Sequence, residues 1–386
     1  MRVSTTQFSN MMMTVMQRQS SDLARTFGDI SSGKRIQQPS DDALATVKIQ
    51  HLNKEISSLN QYIANVNALQ GVLQQEDTLL TNMVNVAQRA RENVLLAGNG
   101  AFDANNLESL AGEIDEQIEE LKSLANYRLA DGQYMFAGSN TLIEPIRQSL
   151  TPDRFFYDGD DRQRFVAISA STKLASNDSG QDLFFNTGIR SDGLSSNSSG
   201  VNNVKVESEI AFQAYSNISL TFNAGTWSAT ATAWDGSTTS HTVTPTGNQL
   251  DIGGLVSAEF TGTPTDGDQF TIENLDTFTA LTRLSSALKS NSDDLQQEIS
   301  TALSVIDKTI GNLGQTQTAV GGRLNTLDST FNSHSDVVLM DQVLRSELED
   351  LDYSEAISRL NLQQTALTAS QQAYVNIQGL SLFNFL

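Results

Sequence analysis

Residues 31–45 read SSGKRIQQPSDDALA, and the reading of this stretch decides the fold. Extended back to Gly28, it becomes GDISSGKR, the outline of a phosphate-cradling loop: a glycine, four residues, then Gly-Lys. Such a loop needs a preceding strand and a Ser or Thr after the Lys to hold Mg²⁺. Here Arg35 follows Lys34, and the residues before Gly28 have helical spacing. The local chemistry is instead that of a helix-loop-helix joint. Gly33 closes one helix, Pro39 keeps Gln38 extended, Ser40 caps the next helix, and Asp41 and Asp42 favour its positive end.

Beyond the joint, apolar residues fall at Leu52, Ile56, Leu59, Ile63 and Val66, then at Leu73, Leu80, Met83, Ala87, Ala90 and Val94. Steps of three and four mark the seam of a helix lying against other helices. The spacing predicts one rod over residues 41–97, roughly 85 Å long at ~1.5 Å per residue, ended by AGNG at 97–100. A second helix is predicted over 105–129, with Leu107, Leu110, Ile114, Ile118, Leu121 and Leu124 inward and Glu113, Asp115, Glu116, Glu119 and Glu120 outward. Helix returns at Asp276, on a seam of Leu281, Leu284, Leu288, Leu295, Ile299, Ala302, Ile306, Ile310, Leu313, Val320, Leu324, Leu327 and Phe331. Gly321-Gly322 interrupts it at about 2 kcal/mol relative to two alanines, which predicts a bend or a close helix contact.

Between these helices the period changes. Residues 133–136, and 154–157 with 164–168 around Asp-Gly-Asp-Asp, read as strands and a turn. Residues 176–208 are rich in Asn, Ser, Asp and Gly and read as loops at a domain margin. Short alternating runs such as SLTFNAG and DQFTIEN then predict a small inserted all-β module over about residues 205–275. The expected fold is mainly α with inserted β: a long antiparallel helical bundle made by the N- and C-terminal segments, with the β module at the far end. The domains read as 1–40 with 352–386 (terminal helices), 41–190 with 276–351 (helical rod with β-hairpins) and 191–275 (outer β domain).

Composition narrows the function. Lys and Arg total 24 against 45 Asp and Glu, a formal net charge of −21, which repels nucleic acid and anionic membrane surfaces. With no cysteine there is no disulfide scaffold, thiolate zinc site or Cys nucleophile. His51, His241 and His334 stand far apart and form no metal-ligand spacing. Asp158, Asp160 and Asp161 lack the glycine and glutamate of a calcium loop and read as turn residues. No cluster of titratable groups points to an enzyme, and no metal or cofactor is expected. No apolar run approaches the ~20 residues of a membrane span, and polar residues break MRVSTTQFSNMMMTVMQRQ before a Sec-type apolar region develops. Only 18% of residues are charged, so the surface has few charges to desolvate and suits repeated packing against other subunits.

The two ends share a weakness. Val15, Leu23, Phe27 and Ile30 give a sparse apolar face, and Tyr353, Ile357, Leu360, Leu367 and Tyr374 follow a seven-residue pattern with Gln364, Gln371 and Gln378 in the alternate seam positions. A leucine contributes about 1.5–3 kcal/mol when buried; a glutamine contributes none and needs hydrogen-bond partners. Both ends are therefore expected to be largely unstructured in the free monomer and to fold against other subunits. The residues expected to carry assembly are Val15, Leu23, Phe27 and Ile30, with Leu360, Leu367, Tyr374, Ile377 and Leu380.

The joint SSGKRIQQPSDDALA resembles a segment that bacterial flagellins and flagellar junction proteins carry soon after the N-terminus. LEDLDYSEAISRLNLQQTALTASQQAYVNIQGLSLF at 348–383 resembles their C-terminal segment. MRVSTTQF at the start, DGQYMFAGSNT at 131–141, FYDGDDRQRFVAIS at 156–169, QDLFFN at 181–186 and the ending SLFNFL are similar to the hook-filament junction branch of the flagellin superfamily. The resemblance covers about residues 1–190 and 270–386. It implies a structural part of the extracellular flagellum, exported unfolded through the flagellar type III export apparatus with a dedicated cytoplasmic chaperone. It further implies assembly at the distal end of the hook after hook-associated protein 1, self-association in a head-to-tail helical ring, and a surface on which flagellin polymerises. A filament subunit of the flagellin type is the alternative. A trimeric fibre or adhesin would explain the β insert but leaves the two matched ends unexplained.

Overall fold

The computed structural model describes residues 5–99, 102–149, 154–185, 187–194, 200–212, 214–233, 237–292 and 294–383. Three helices come first: α1 (Thr5–Ser32), α2 (Ala43–Ala97) and α3 (Ala104–Ala125). Four short strands follow, β1 (Ile146–Gln148), β2 (Phe155–Tyr157), β3 (Phe165–Ala167) and β4 (Lys173–Ala175), then a π-helical turn at Gln181–Phe185. The insert comprises β5 (Gly188–Leu194), β6 (Gly200–Val206), a single turn α4 (Glu209–Phe212), β7 (Tyr215–Asn223), β8 (Thr226–Ala233), β9 (Thr238–His241), β10 (Val243–Thr246), β11 (Gln249–Ile252), β12 (Val256–Thr261) and β13 (Gln269–Leu275). The chain returns through α5 (Thr277–Ser290), α6 (Leu295–Glu349) and α7 (Tyr353–Phe383). The architecture is mainly α with inserted β, as the periodicity predicts. Two compact units form, residues 1–64 with 330–386 and residues 65–329.

In the unit 65–329 the predicted seams supply the helical core. Val66, Leu73, Leu80, Met83, Ala87, Ala90 and Val94 of α2 are buried, as are Leu107, Leu110, Ile114, Ile118 and Leu121 of α3 and Leu281, Leu284 and Leu288 of α5. Aspartates start two of these helices: Asp103 Oδ1 accepts the N–H of Asn106 at 2.8 Å, and Asp276 Oδ1 accepts that of Thr279 at 2.7 Å. Asp276 is buried, and that burial pushes its carboxyl up to about 6.

The returning helix differs from its expected form in two ways. It is two helices, because Asn291 adopts a left-handed conformation (φ 45°) and closes α5 with its N–H on the carbonyls of Ala287 and Leu288. Leu288 and Leu295 are seven residues apart, so the seam runs in phase across the break and periodicity alone hides it. Helix α6 also passes through Gly321 and Gly322 without interruption, and a Cβ at either would meet nothing within 4 Å. Neither glycine marks a close contact.

The short strands also pair differently. β2 pairs with β1, and β3 with β4, so residues 154–157 and 164–168 do not form one hairpin with each other. Residues 133–136 are no strand; Tyr134 makes a single bridge to Arg128, while Met135 and Phe136 are buried. Asp160 of the acidic turn accepts the backbone N–H of Ser139 at 2.6 Å and the Ser139 hydroxyl. The Tyr157 hydroxyl donates to the Phe136 carbonyl at 2.8 Å. At Gly138 (φ 70°) a Cβ would stand 2.1 Å from the Asp160 carbonyl oxygen, so this corner closes only on glycine.

The β module is a pair of antiparallel sheets, β5-β13-β7-β8-β9 and β10-β11-β12-β6. Alternate residues point inward, Ile218 and Leu220 of β7 and Phe270 and Ile272 of β13 from one sheet, Leu250 and Ile252 of β11 with Val256 and Phe260 of β12 from the other, and together they build one core. Strands β5 and β6 lie inside residues 176–208, read from sequence as loops. Gly, Asn and Ser are poor strand formers, and here sheet pairing overrides that propensity.

Candidate functional site

The unit 1–64 with 330–386 contains the joint and both terminal helices. At the joint, Gly33 ends α1 in a left-handed conformation (φ 71°), with its N–H on the Asp29 carbonyl at 2.9 Å. A Cβ there would lie 2.9 Å from the Tyr353 hydroxyl. Helix α2 begins two residues later than expected, and its cap is Asp42, not Ser40: Asp42 Oδ1 accepts the N–H of Ala45 at 3.0 Å. The aspartate wins because it lies three residues before that N–H, whereas Ser40 is taken up in the turn. Asp41 closes the loop rather than the helix. Its Oδ2 accepts the amides of Gln38 at 2.9 Å and Gln37 at 3.1 Å, and its Oδ1 meets Arg25. Those amides, first Gln38 and then Gln37, and the Arg25 charge hold the Asp41 carboxyl below the usual carboxylate range. Pro39 sits exposed in the same turn.

Sequence reasoning missed that this joint has a partner. The Arg35 N–H donates to the Glu349 carbonyl at 2.7 Å, and the Leu351 N–H to the Gly33 carbonyl at 3.0 Å. Lys34 pairs with Glu349, and the Arg35 guanidinium donates to the Leu348 carbonyl at 2.8 Å. Ile36, Ala45 and Ile49, with Leu348, form a small apolar core beneath. Both helix-to-helix links, one from each end of the chain, are thus clasped together. No local sequence signal carries this pairing, since backbone groups make most of it.

Helices α1 and α7 lie antiparallel, joined at one end by this clasp and at the other by Ser9 Oγ and the Tyr374 hydroxyl, 3.1 Å apart. The inward residues step by three and four: Ser9, Met12, Met16, Gln19, Leu23, Thr26 and Ile30 on α1, and Ala356, Leu360, Gln363, Leu367, Ser370 and Tyr374 on α7. Five of the predicted assembly residues, Leu23, Ile30, Leu360, Leu367 and Tyr374, therefore meet in one seam. Val15 and Phe27 do not join it; Phe27 is 64% exposed. The side chains of Ile377 and Leu380 lie outside the described residues. The seam glutamine of α7 is Gln363, whereas Gln364 and Gln371 face solvent and the side chain of Gln378 lies outside the described residues.

This seam is thin. Among the described residues of α1 and α7, only Thr26 and Ala356 are fully buried, and the side-chain oxygens of Gln19 and Gln363 are shielded from water without a hydrogen-bond partner. The outer faces are apolar at the same time: Met11, Met13 and Phe27 of α1 and Ile357, Leu362 and Val375 of α7 are exposed, as are Leu44 and Val47 of α2 and Leu339, Met340 and Val343 of α6. An apolar face laid open along a half-closed helix pair can dock another helix. No group of residues that could hold a metal ion is found among the described residues.

Comparison with known proteins agrees with this geometry. The model of the bacterial flagellin N-terminal helical region matches residues 3–141. Flagellar hook-associated protein 3 of Escherichia coli is 26% identical over 92% of this chain and 90% of its own length. The protein of the same name from Salmonella typhimurium is 24% identical over 99% of each. Matches to filament proteins extend over less, 31% to 41% of this chain. Among solved structures, flagellar hook-associated protein 3 of Legionella pneumophila shares the fold with a TM-score of 0.54 at 24% identity, covering 78% of this chain and 98% of that one.

Proposed function

We infer that this chain belongs to the flagellin superfamily and is a structural component of the bacterial flagellum, a hook-filament junction protein of the hook-associated protein 3 type. The observation that carries this is the extent of similarity: two hook-associated proteins 3 align along nearly the whole chain, whereas filament proteins align over less than half of it. The flagellin-like alternative leaves the remainder unmatched. The role is structural, not catalytic.

The finer reading is that the chain follows hook-associated protein 1 onto the distal end of the hook, closes a helical ring of its own copies and presents the surface on which flagellin polymerises. On this reading it leaves the cell unfolded through the flagellar type III export apparatus, escorted by a cytoplasmic chaperone. What supports assembly through the ends is the thin α1–α7 seam and the apolar residues outside it. Immunogold labelling of isolated flagella tests the reading directly. Label is expected as one band where hook meets filament; label spread along the filament would favour a filament subunit.

The terminal helices are proposed to order only on assembly. A two-helix pair with two unpartnered glutamine oxygens has little to offset the ~1–2 kcal/mol of backbone entropy that each ordered residue costs. In the isolated subunit, amides of residues 5–32 and 353–383 are expected to exchange with solvent at near-unprotected rates, while the buried seams of α2, α3 and α5 stay protected. Slow, uniform exchange at both ends would refute this.

A further inference from the structure

We propose that Glu76 is a proton-operated latch: its buried carboxyl carries a proton in the folded chain and fastens the Asp178 turn to α2, and loss of that proton sets a second buried negative charge against Asp178 and loosens the turn.

Glu76 lies on the buried side of α2 with no exposure to solvent. Its Oε1 accepts the N–H of Asp178 at 3.0 Å, while its Oε2 is shielded and has no partner. Two arginines lie near Glu76 and neither hydrogen-bonds to it, although both charges act on it. Arg323 of α6 grips Asp178 with two hydrogen bonds of 2.7 and 2.8 Å, and Gln163 gives Asp178 a further bond at 2.7 Å. Arg164 donates to Gln133 and to Asn177. Two acids thus share one bidentate guanidinium, and Asp178 holds it. An ionised Glu76 would be a buried charge beside Asp178 with no cation hydrogen-bonded to it, a costly state, whereas a protonated one adds no charge.

The groups facing Glu76 are Asp178 from the turn, Arg323 from α6 and Arg164 from the segment before β3. Asp182 also faces Asp178, and on α2 the adjacent Asp77 accepts a bond from Gln317 at 3.3 Å. Burial first, and then the Asp178 charge, push the Glu76 carboxyl up to about 8 against the opposing pull of Arg323, of the Asp178 N–H, which bonds the ionised form more strongly, and of Arg164. The turn leads into the π-helical residues Leu183, Phe184 and Phe185, which fill the core. Loosening the Asp178 turn therefore acts on packing, not on a surface loop. For an acid whose folded pKa is raised, the native chain binds the extra proton. The resulting stabilisation is complete below the unfolded value of about 4.5 and is lost as pH rises through about 8.

Two measurements on the full chain test the latch. With glutamate carboxyl carbons labelled, one resonance in the wild-type protein is expected to titrate with a midpoint near 8 and to be missing from Glu76→Gln; titration of every glutamate in the ordinary carboxylate range would overturn the proposal. In urea unfolding followed by helix signal, the unfolding constant of the wild type relative to Glu76→Gln is expected to rise about tenfold per pH unit between pH 5 and 8 and then level off. A ratio that does not change with pH would overturn it too. Should Glu76→Gln not fold, the wild-type titration decides alone: a glutamate midpoint near 8 supports the latch, and its absence refutes it.

Discussion

Leu367→Asp is expected to abolish swimming in a complemented strain and to leave the subunit in the culture medium, unincorporated, while the unit 65–329 keeps its unfolding free energy within about 0.5 kcal/mol. Leu367 sits half-buried at the middle of the α7 seam, one helical turn beyond Gln363. The seam already carries two shielded amide oxygens without partners. Replacing one of its few leucines by a carboxylate removes part of about 1.5–3 kcal/mol of burial and sets a charge on a half-buried seam position. A marginal helix pair cannot absorb that, and Leu367 belongs to the unit 1–64 with 330–386, not to the unit 65–329. Soft-agar swimming, immunoblots of medium against sheared flagella, and urea unfolding of the purified variant check the three parts. Normal swimming would sink the assignment of the terminal helices as the assembly element. Leu362→Asp is the companion variant: Leu362 is 72% exposed in the single chain, so loss of swimming there marks the outer face as a contact between copies.

The helices were readable because a three-and-four step survives almost any surface chemistry, and burial at Val66, Leu73, Leu80, Leu313 and Leu327 follows it directly. What could not be read depends on groups with no periodic signature. Asn291 ends α5 through backbone conformation while the apolar phase continues through Leu295. Asp42 displaces Ser40 as the cap because the two candidates differ only in which backbone N–H lies within reach. The clasp between Gly33, Arg35, Glu349 and Leu351 joins the two links through backbone bonds, which any sequence can make. Of the residues expected to carry assembly, those at seam spacing on α1 and α7 fell together, whereas Val15 and Phe27, chosen for being apolar, face away. Hydrophobicity marked them as important to bury but could not say against what.

A second large effect is expected at Phe278, in the first turn of α5. Its ring lies 5.4 Å from that of Phe155 in β2, 5.2 Å from Phe184 and 6.3 Å from Phe185 of the π-helical turn, with no solvent exposure. One side chain thereby ties a hairpin, a tight turn and a helix, none of which is long enough to be stable alone. Phe278→Ala is expected to cost about 3–5 kcal/mol, because the surrounding rings belong to two separate elements, β2 and the π-helical turn, and cannot collapse together into the space left. The β module builds its own core around Ile218, Leu220, Phe260 and Phe270, with Trp227 against Phe222, Phe260 and Phe270. In a Trp234→Phe background, Trp227 fluorescence reports that core while helix signal reports the other. If the two cores are energetically separate, Phe278→Ala moves the helix transition to lower urea and leaves the Trp227 transition in place. Coincident shifts would make the module and helices one cooperative unit, and a loss below about 1 kcal/mol would mean that the aromatic cluster re-forms without its central ring.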